Sequence, residues 1–477
     1  MKFPILLFFY LICSSLCAQS YVYCFGNLHA HTGFSDGNKD SVNSGMANPS
    51  GAYAYAKQSL QFNFLGISEH NHFTTKSNPG FLRPLYQQGL KMADSANQDG
   101  SFVALFGMEY GVSSSNNGHV LIYGYPKLLG WEGSVPGVNG VNYEEFNARS
   151  DYDALFTKIA RRPGAFAYLA HPGFSDYSTN GTSESALAFG AYNATYDSAI
   201  IGMPLRSGLA FSTADNYSDY AQGHYFNYYK RLLYQGYHLG IGYDHDNHYT
   251  NFGRSNGGRT VVLCKDLSRA SLLEGLLAMR FYGSDDSNAK LSFACGGAEM
   301  GSTVTGSVFP TFVVKHTDPD GEAADSIKIW KGFANSGGLW AEIIYSSLHS
   351  DQASFTDSQV EAGKEYYYFT EVRQADGQWM VSSPIWFRGL APLVLSEEQG
   401  VDGFLVVPDP ETKHLRLKGV NREEVQISMA DLSGKVCLNK RLRFPNLDVD
   451  VSGLKPGWYV LKLESASTQQ SMKLLIE

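Results

Sequence analysis

GNLHAHTGFSDG, residues 26–37, closes an apolar run that begins at Tyr21, and it places His29 and His31 two positions apart with Asp36 in the loop just after. On an extended strand, residues i and i+2 face the same side, so both imidazoles can reach one ion. The same device, a ligand-type residue where a strand-like run starts or stops, recurs along the chain. His70 ends a run in LGISEHNH (65–72), and Glu109 ends the next in LFGMEYG (105–111). His119 opens a run in NNGHVLIYG (116–124), and His171 ends one in YLAHPG (168–173). Asp246 and His248 follow another in GIGYDHDNH (240–248).

Around these residues, short apolar runs alternate with helical patterns from Tyr21 to about Ser292. Phe62–Ser68, Phe102–Met108, His119–Tyr125, Ala165–Ala170 and Leu239–Gly242 read as strands. Pro49–Gln58, Asp151–Arg161, Tyr225–Gln235 and Arg269–Met279 read as helices. The alternation predicts an α/β domain with a largely parallel sheet or barrel, on whose C-terminal face the strand ends converge. After about residue 296 the helical signal stops. Phe312–Lys315, Ser326–Trp330, Tyr366–Arg373 and Ser382–Trp386 read as strands between turn clusters such as Asp318-Pro319-Asp320-Gly321, a β-sandwich-sized segment. The expected domains are a signal peptide (1–18), the α/β domain (21–295), a β-sandwich (296–389), a linker (390–403) and a small C-terminal β-sandwich (404–477).

The 477 residues exceed one core, and 43% hydrophobic with 17% charged residues is ordinary for a folded soluble chain. A net charge of −9 argues against a broad nucleic-acid surface. Lys2, the apolar run Phe3–Ile12 and the small stretch to Gln19 read as a signal peptide cleaved near Ala18. No later run is long and apolar enough to span a bilayer. Cleavage leaves Cys24, Cys264, Cys295 and Cys437, which could form up to two disulfides or remain buried thiols; none has the spacing of a thiolate metal site.

A single His after a strand is ordinarily a surface or hydrogen-bonded residue, the reading taken for His72, His224, His238, His316, His349 and His414. The joint placement of His29, His31, His70, His119, His171 and His248 with Asp36, Glu109 and Asp246 points instead to metal. These ligands are too many for one tetrahedral ion and suit two or three divalent ions. Histidine and carboxylate without thiolate suit Zn, Mn or Fe. Neighbouring divalent ions are the usual arrangement for phosphoryl hydrolysis.

HxH with a following SDG, an acid-His-Asn turn, a strand-end Glu, GHVL, AHP and DxH, all in order, resemble the polymerase and histidinol phosphatase (PHP) family. The resemblance implies a distorted (β/α)7 barrel with a di- or trinuclear site. It implies that His29, His31, Glu109 and Asp246 hold one ion, that Glu109 bridges to a second held by His119 and His171, and that Asp36, His70 and His248 complete a third. Glu109 and Asp246 are the catalytic carboxylates in this reading. The acid of the second motif is Glu69 where the family usually has Asp, and it is expected to orient His70. Asp244-His245 competes with Asp246-His248 for the last motif. DNHYTNFG followed by RTVVL resembles the exported, CehA/McbA-like branch and favours the second pair. Gln374-Ala375-Asp376-Gly377 and Ser382-Ser383-Pro384-Ile385-Trp386 resemble the ending of that branch's sandwich.

VVPDPETKHLRL (406–417), VQISMADLSGKV (425–436), VDVSGLKPGWYVLKLES (449–465) and MKLLI (472–476) resemble the type IX (Por) secretion sorting domain, with Pro408-Asp409-Pro410 where Pro-Asn-Pro is usual. That resemblance implies the type IX machinery as a partner and a secreted or outer-surface location. The expected function is a phosphoesterase cleaving mono- or diesters of a small molecule or polymer with a metal-bridging hydroxide. Arg206, Arg254 and Arg259 are nominated for phosphate contacts. The alternatives are a carboxylic or carbamate ester or amide hydrolase on the same site, and a non-enzymatic surface binding protein.

Overall fold

The computed structural model describes residues 20–38, 47–72, 82–111, 118–135, 138–173, 176–177, 192–208, 225–249, 257–306, 309–389, 405–409, 414–418, 424–431, 434–443, 448–455, 457–465 and 469–476. The signal peptide (1–18), the linker (390–403), His224 and Arg254 lie outside the described residues. The chain divides into two compact units, one reaching Gly389 without residues 361–363, the other formed by 390–477 with 361–363. Among the described residues no helix is long and apolar enough to cross a membrane.

The first unit opens β1 (Val22–Asn27), α1 (Pro49–Ser59), β2 (Phe64–His70), α2 (Arg83–Ala96), β3 (Val103–Tyr110) and β4 (His119–Tyr123). Short β5 (Leu129–Gly130) and β6 (Glu145–Phe146) precede α3 (Tyr152–Ala160), β7 (Phe166–Ala170), α4 (Ala194–Ala199) and β8 (Ile200–Ser207). Then come α5 (Tyr225–Gln235), β9 (Gly240–Asp244), β10 (Arg259–Cys264), α6 (Arg269–Leu277) and β11 (Phe281–Ser284). Four helices start where a side chain satisfies a free amide, α4 among them, with Asn193 accepting from Thr195 N at 2.9 Å. Asn48 accepts from Gly51 N at 3.1 Å, Asp151 from Ala154 N at 3.0 Å and Ser268 from Ser271 N at 3.2 Å. Strands β2, β3, β7 and β9 are buried along their whole length, which is why they read as continuous apolar runs.

Residues 290–389 add β12 (Lys290–Cys295), β13 (Ala298–Glu299), β14 (Thr303–Gly306), β15 (Thr311–Thr317) and β16 (Ala324–Phe333). They continue with β17 (Glu342–Leu348), β18 (Gln352–Thr356), β19 (Glu365–Gln374), β20 (Trp379–Ser382) and β21 (Ile385–Gly389). Strands β13-β12-β15-β18 form a separate four-stranded sheet. The others join the large sheet where β20 pairs with β11, Tyr282 opposite Ser382. Phe293, Phe312, Ile327, Tyr368 and Phe387 share a core with Val261, Leu263 and Tyr282 of β10 and β11.

The expected (β/α)7 barrel does not form, and the chain is mostly β rather than α/β, with 45% strand and 17% helix. The large sheet follows the order β14-β21-β19-β20-β11-β10-β1-β2-β3-β4-β7-β8-β9 and is open, with β16 and β17 attached beside β19. Strands β1-β2-β3 and β7-β8-β9 run parallel, as βαβ units do. Strand β4 is antiparallel to β3 and to β7, and β10 is antiparallel to β1 and β11. Between β3 and β4 the cause is chain length: residues 111–118 alone join them, while a parallel crossover needs about a dozen. At the β9 end, side-chain hydroxyls take the place of a ladder. Tyr243 N donates to Thr260 Oγ1 at 2.7 Å and Ile241 N to Ser383 Oγ at 3.2 Å. Gly283 permits the approach, since a Cβ there would lie 2.3 Å from Gly242 O.

The second unit holds β22 (Leu405–Asp409), β23 (His414–Lys418), β24 (Glu424–Asp431), β25 (Val436–Arg443), β26 (Asp448–Asp450), β27 (Gly457–Glu464) and β28 (Gln469–Ile476). They make two sheets, β22-β23-β26 and β25-β24-β27-β28. Alternate residues such as Val425, Ile427, Met429, Leu461 and Leu463 fill its core. Cys24, Cys264 and Cys295 are buried free thiols, and Cys437 is an exposed one.

His238, just before β9, places Nδ1 3.0 Å from Asp197 Oδ2 of α4 and Nε2 3.1 Å from Glu365 Oε1 of β19. Burial disfavours the charged ring, but the two carboxylates outweigh it and raise its pKa above the ordinary value. A group whose pKa rises on folding stabilises the fold below its unfolded value, and that stabilisation is lost as pH rises through the folded value. His238→Gln should therefore cost roughly 1 kcal/mol at low pH and little in alkaline solution. Denaturant unfolding of both proteins on either side of neutrality measures this; an equal cost at both would contradict it.

Candidate metal centre

The nine residues singled out in the sequence are all described, and the strand ends bring them together. His29 and His31 leave the end of β1, held by Asn27, whose Nδ2 donates to His29 O at 2.8 Å and whose Oδ1 accepts from His29 N at 3.1 Å and His245 N at 3.2 Å. His70 and Glu109 face each other across the parallel pair β2–β3. His119 opens β4 opposite Ala170, one residue before His171. The exit of β9 is laced to that of β1: Asp246 N donates to His29 O at 3.0 Å and His31 N to Asn247 O at 3.3 Å. Asp246 and His171 sit at φ 47° and 28°, left-handed conformations that β-strand neighbours would not choose unaided.

Glu109 is fully buried at the middle. Its Oε2 lies 3.1 Å from His29 Nε2, 3.1 Å from His31 Nε2 and 3.2 Å from His70 Nδ1. Its Oε1 lies 2.7 Å from His119 Nδ1 and 3.1 Å from His171 Nε2. Asp246 Oδ1 is 3.2 Å from His29 Nε2 and 3.3 Å from His31 Nε2. Asp36 Oδ2 is 3.1 Å from His248 Nε2 and 3.8 Å from His70 Nε2. Three overlapping ligand groups result: His29, His31, Glu109 and Asp246; His70, Glu109 and His119; His31, Asp36, His70 and His248. They differ from the division implied by the PHP resemblance in that His31 and His70 are each shared between two groups, and the group of Glu109 and His119 holds His70 in place of His171.

The chemistry of these donors fits cations. His248 Nδ1 is 3.2 Å from the carbonyl of Asp246, which can only accept, so Nδ1 donates and a neutral ring turns its Nε2 lone pair toward the Asp36 carboxylate. His29 Nδ1 likewise lies 3.3 Å from Asp244 Oδ2, so its Nε2 faces Glu109 and Asp246. Glu109 Oε2 makes no hydrogen bond although three imidazole nitrogens surround it. Lone pairs facing carboxylates repel; a cation between them reverses the sign. Burial opposes charge on every one of these groups, yet the carboxylates raise His31 to about 10 and lift His29 well above its ordinary range. The histidines in turn hold Asp36, Glu109 and Asp246 below theirs, against burial. The centre thus draws positive charge, which protons or divalent ions can supply.

His119 and His171 have side chains 21% and 28% exposed, while the other ligand-type side chains are 9% exposed or less, so the centre opens along the β4–β7 edge. Of the competing pairs at the last motif, Asp246 and His248 line the centre. Asp244 stands behind His29, and His245 turns away to Gly258 O at 2.7 Å. Glu69 does not orient His70 as expected. It accepts from Thr32 N at 3.1 Å and from the hydroxyls of Thr32 and Ser35, fixing the loop that carries Asp36, and burial raises its pKa to about 7.

Of the arginines nominated for phosphate, Arg254 lies outside the described residues and the other two are engaged elsewhere. Arg206 Nε lies 2.7 Å from Asp285 Oδ1 with its guanidinium over Trp379, and Arg259 donates to the carbonyls of Gly257 and Gly258 beneath the Phe62 ring. His72, given an ordinary role by the sequence, is buried 5.2 Å from the His70 ring and stacks on Trp131, with neither nitrogen hydrogen-bonded. Burial, and after it His119, lowers its pKa to about 4. Its position two residues past His70, where β2 ends, was the available signal.

Residues 405–477 match the family model of the secretion system C-terminal sorting domain. The chain is accordingly directed by the type IX machinery to the cell surface or beyond. Similar curated sequences include an uncharacterized protein of Chlamydia trachomatis serovar D, 30% identical over 178 residues, covering 33% of this chain and 27% of that protein. Another is an uncharacterized protein of Chlamydia muridarum, 30% identical over 172 residues with the same two coverages. The chain thus spans about a quarter (27%) of the length of these relatives. Similar solved structures include a tetra-tandem repeat from the extending region of a large adhesion protein, at TM-score 0.15, 11% identity and 48% and 59% coverage of the two chains. The FN1–FN3 domains of chicken CNTN1 match at TM-score 0.16, 9% identity and 37% and 62% coverage. Scores this low carry no argument about the fold.

Two outcomes follow. Asp244→Asn should leave the fold intact and weaken metal retention by about 10–100-fold, since it removes only the group that orients His29; metal analysis after dialysis reads it, and unchanged retention would contradict the role. Deleting residues 405–477 should leave the protein inside the outer membrane. Fractionation of cells making both forms tests this, and undiminished release would refute it.

Proposed function

We propose that this chain is an exported metal-dependent hydrolase of phosphate mono- or diesters, the activity implied by the likeness of its motifs to the PHP family. The observation that carries the reading is the division of one buried carboxylate, Glu109, between two sets of imidazoles: His29, His31 and His70 on one oxygen, His119 and His171 on the other. A carboxylate shared in this way suits a bridging ligand between neighbouring ions, and the nitrogen and oxygen donor set suits Zn, Mn or Fe, two or three per chain. When bound, such ions would supply an activated water and positive charge for the developing phosphoryl oxygens.

The chain's own residues do the rest. Asp244 fixes His29, the Asp246 carbonyl fixes His248, and Glu69 fixes the loop bearing Asp36. These contacts hold the donors at set orientations before any substrate arrives. The partly exposed edge at His119 and His171 is where a scissile group can enter, and the buried floor at Glu109 keeps bulk water away from it.

One observation favours a second reading, a carboxylic or carbamate ester or amide hydrolase. Arg206 and Arg259 are both held by other partners, so two of the three guanidinium forks expected for a phosphate are committed elsewhere. Metal-loaded protein should turn over aryl phosphates faster than aryl carboxylates of matched leaving group, and His31→Ala should lose both turnover and bound metal. Preference for the carboxylate esters would establish the second reading. Metal loss with unchanged turnover would overturn the mechanism.

A further inference from the structure

Two thiols meet on one face of the large sheet. Strand β1 runs antiparallel to β10 with Cys24 opposite Val262 and Val22 opposite Cys264. Residues directly across a ladder point the same way, and so do residues two apart along a strand. Cys24 and Cys264 are therefore diagonal neighbours on a single face. Both are fully buried there, in a core shared with Phe64, Leu121, Leu272 and Phe281. Tyr23 and Phe25 turn to the opposite face and pack against the core that holds Cys295. The sheet itself thus separates Cys295 from the pair.

Diagonal Cα atoms in a flat ladder stand about 7–8 Å apart, slightly beyond the span of about 4.4–6.8 Å that a disulfide bridges. Twist shortens one diagonal of a ladder and lengthens the other, and the sulfurs mark this one as the near one. Cys264 Sγ leans back along its strand and donates to Val262 O at 3.6 Å, and Val262 is the residue across from Cys24. Contact with Cys24, and after it burial, holds the Cys264 thiol well above the ordinary thiol pKa. A thiol that ionises so poorly reacts slowly once enclosed, so the time for oxidation is while the chain folds. The sorting domain directs the chain out of the cytoplasm, where disulfides form and persist.

We infer that Cys24 and Cys264 are a structural disulfide site, oxidised as β1 and β10 come together outside the cytoplasm. The oxidant is the disulfide of an oxidoreductase or of a small molecule. One cysteine thiolate attacks it and releases a thiol, leaving a mixed disulfide; the second thiolate attacks that and releases the other thiol. The two cysteines give up two protons and two electrons, and the oxidant disulfide becomes two thiols. The new Sγ–Sγ bond closes a loop that contains all nine ligand-type residues, from His29 to His248. It is independent of any reaction at that centre.

The test uses the protein recovered after export, denatured in guanidinium chloride with iodoacetamide and no reductant, then digested. Mass spectrometry should find the peptides bearing Cys24 and Cys264 as one species that separates on reduction, with Cys295 alkylated directly. In metal-free protein, refolding under reductant should lower Tm by several degrees relative to the oxidised form. Cys264→Ala should melt at one temperature with or without reductant, a pattern that lost packing alone does not produce. If that variant does not fold, Cys264→Val provides the comparison. Direct alkylation of both Cys24 and Cys264 overturns the proposal, as does a bridge from either to another cysteine, or a Tm of the natural protein that reductant leaves unchanged.

Discussion

Glu109 sets the terms for the first unit. A carboxylate with no exposure and five imidazole nitrogens within 3.2 Å is unstable as a set of neutral neighbours and requires compensating charge. Strand β3 delivers it to the point where β1, β2, β4, β7 and β9 all end or begin. The parallel register that sets His70 against Glu109 and the antiparallel one that sets His119 beside Ala170 are therefore constraints of the centre as much as of the sheet. A slip of one residue in either would turn a ligand to the opposite face.

Much of the local structure was legible. Helices at Pro49–Ser59, Tyr152–Ala160, Tyr225–Gln235 and Arg269–Leu277 lie within two residues of the patterns that announced them. The arrangement of those elements was not. Alternating apolar and amphipathic stretches promise parallel pairing only if each connection is long enough and crosses over, and the eight residues from Gly111 to Gly118 forbid it between β3 and β4. The strands after residue 296 read as a separate sandwich because their alternation is that of a half-buried sheet. Some of them extend the first sheet, through pairing between β20 and β11 that no local pattern encodes. Helix α2 (Arg83–Ala96), which opens with Pro84 in its first turn, was missed although that proline is a fair start signal.

For the site, residue type and position at strand ends sufficed to collect all nine side chains, because convergence there needs only strands that end on one side. What stayed hidden were roles that depend on three-dimensional neighbours. Glu69 could be read as a partner for His70 until Thr32 and Ser35 were seen against it. His72 differs from His70 only in what surrounds it. Arg206 and Arg259 were plausible anion ligands until Asp285 and two backbone carbonyls were found to hold them.

The ligand order along the chain has a further consequence. The donors run from His29 to His248, so an ion held by both ends acts as a cross-link that closes most of the first unit into loops. Such a staple could not fasten until the polypeptide had emerged past residue 248 and the exit of β9 had met that of β1, where Ala30 and Asn247 form a bridge. On the proposed reading, metal capture would be a late event in maturation, and the ion acquired would be set by what the surroundings offer at that moment as much as by the affinities of imidazole and carboxylate.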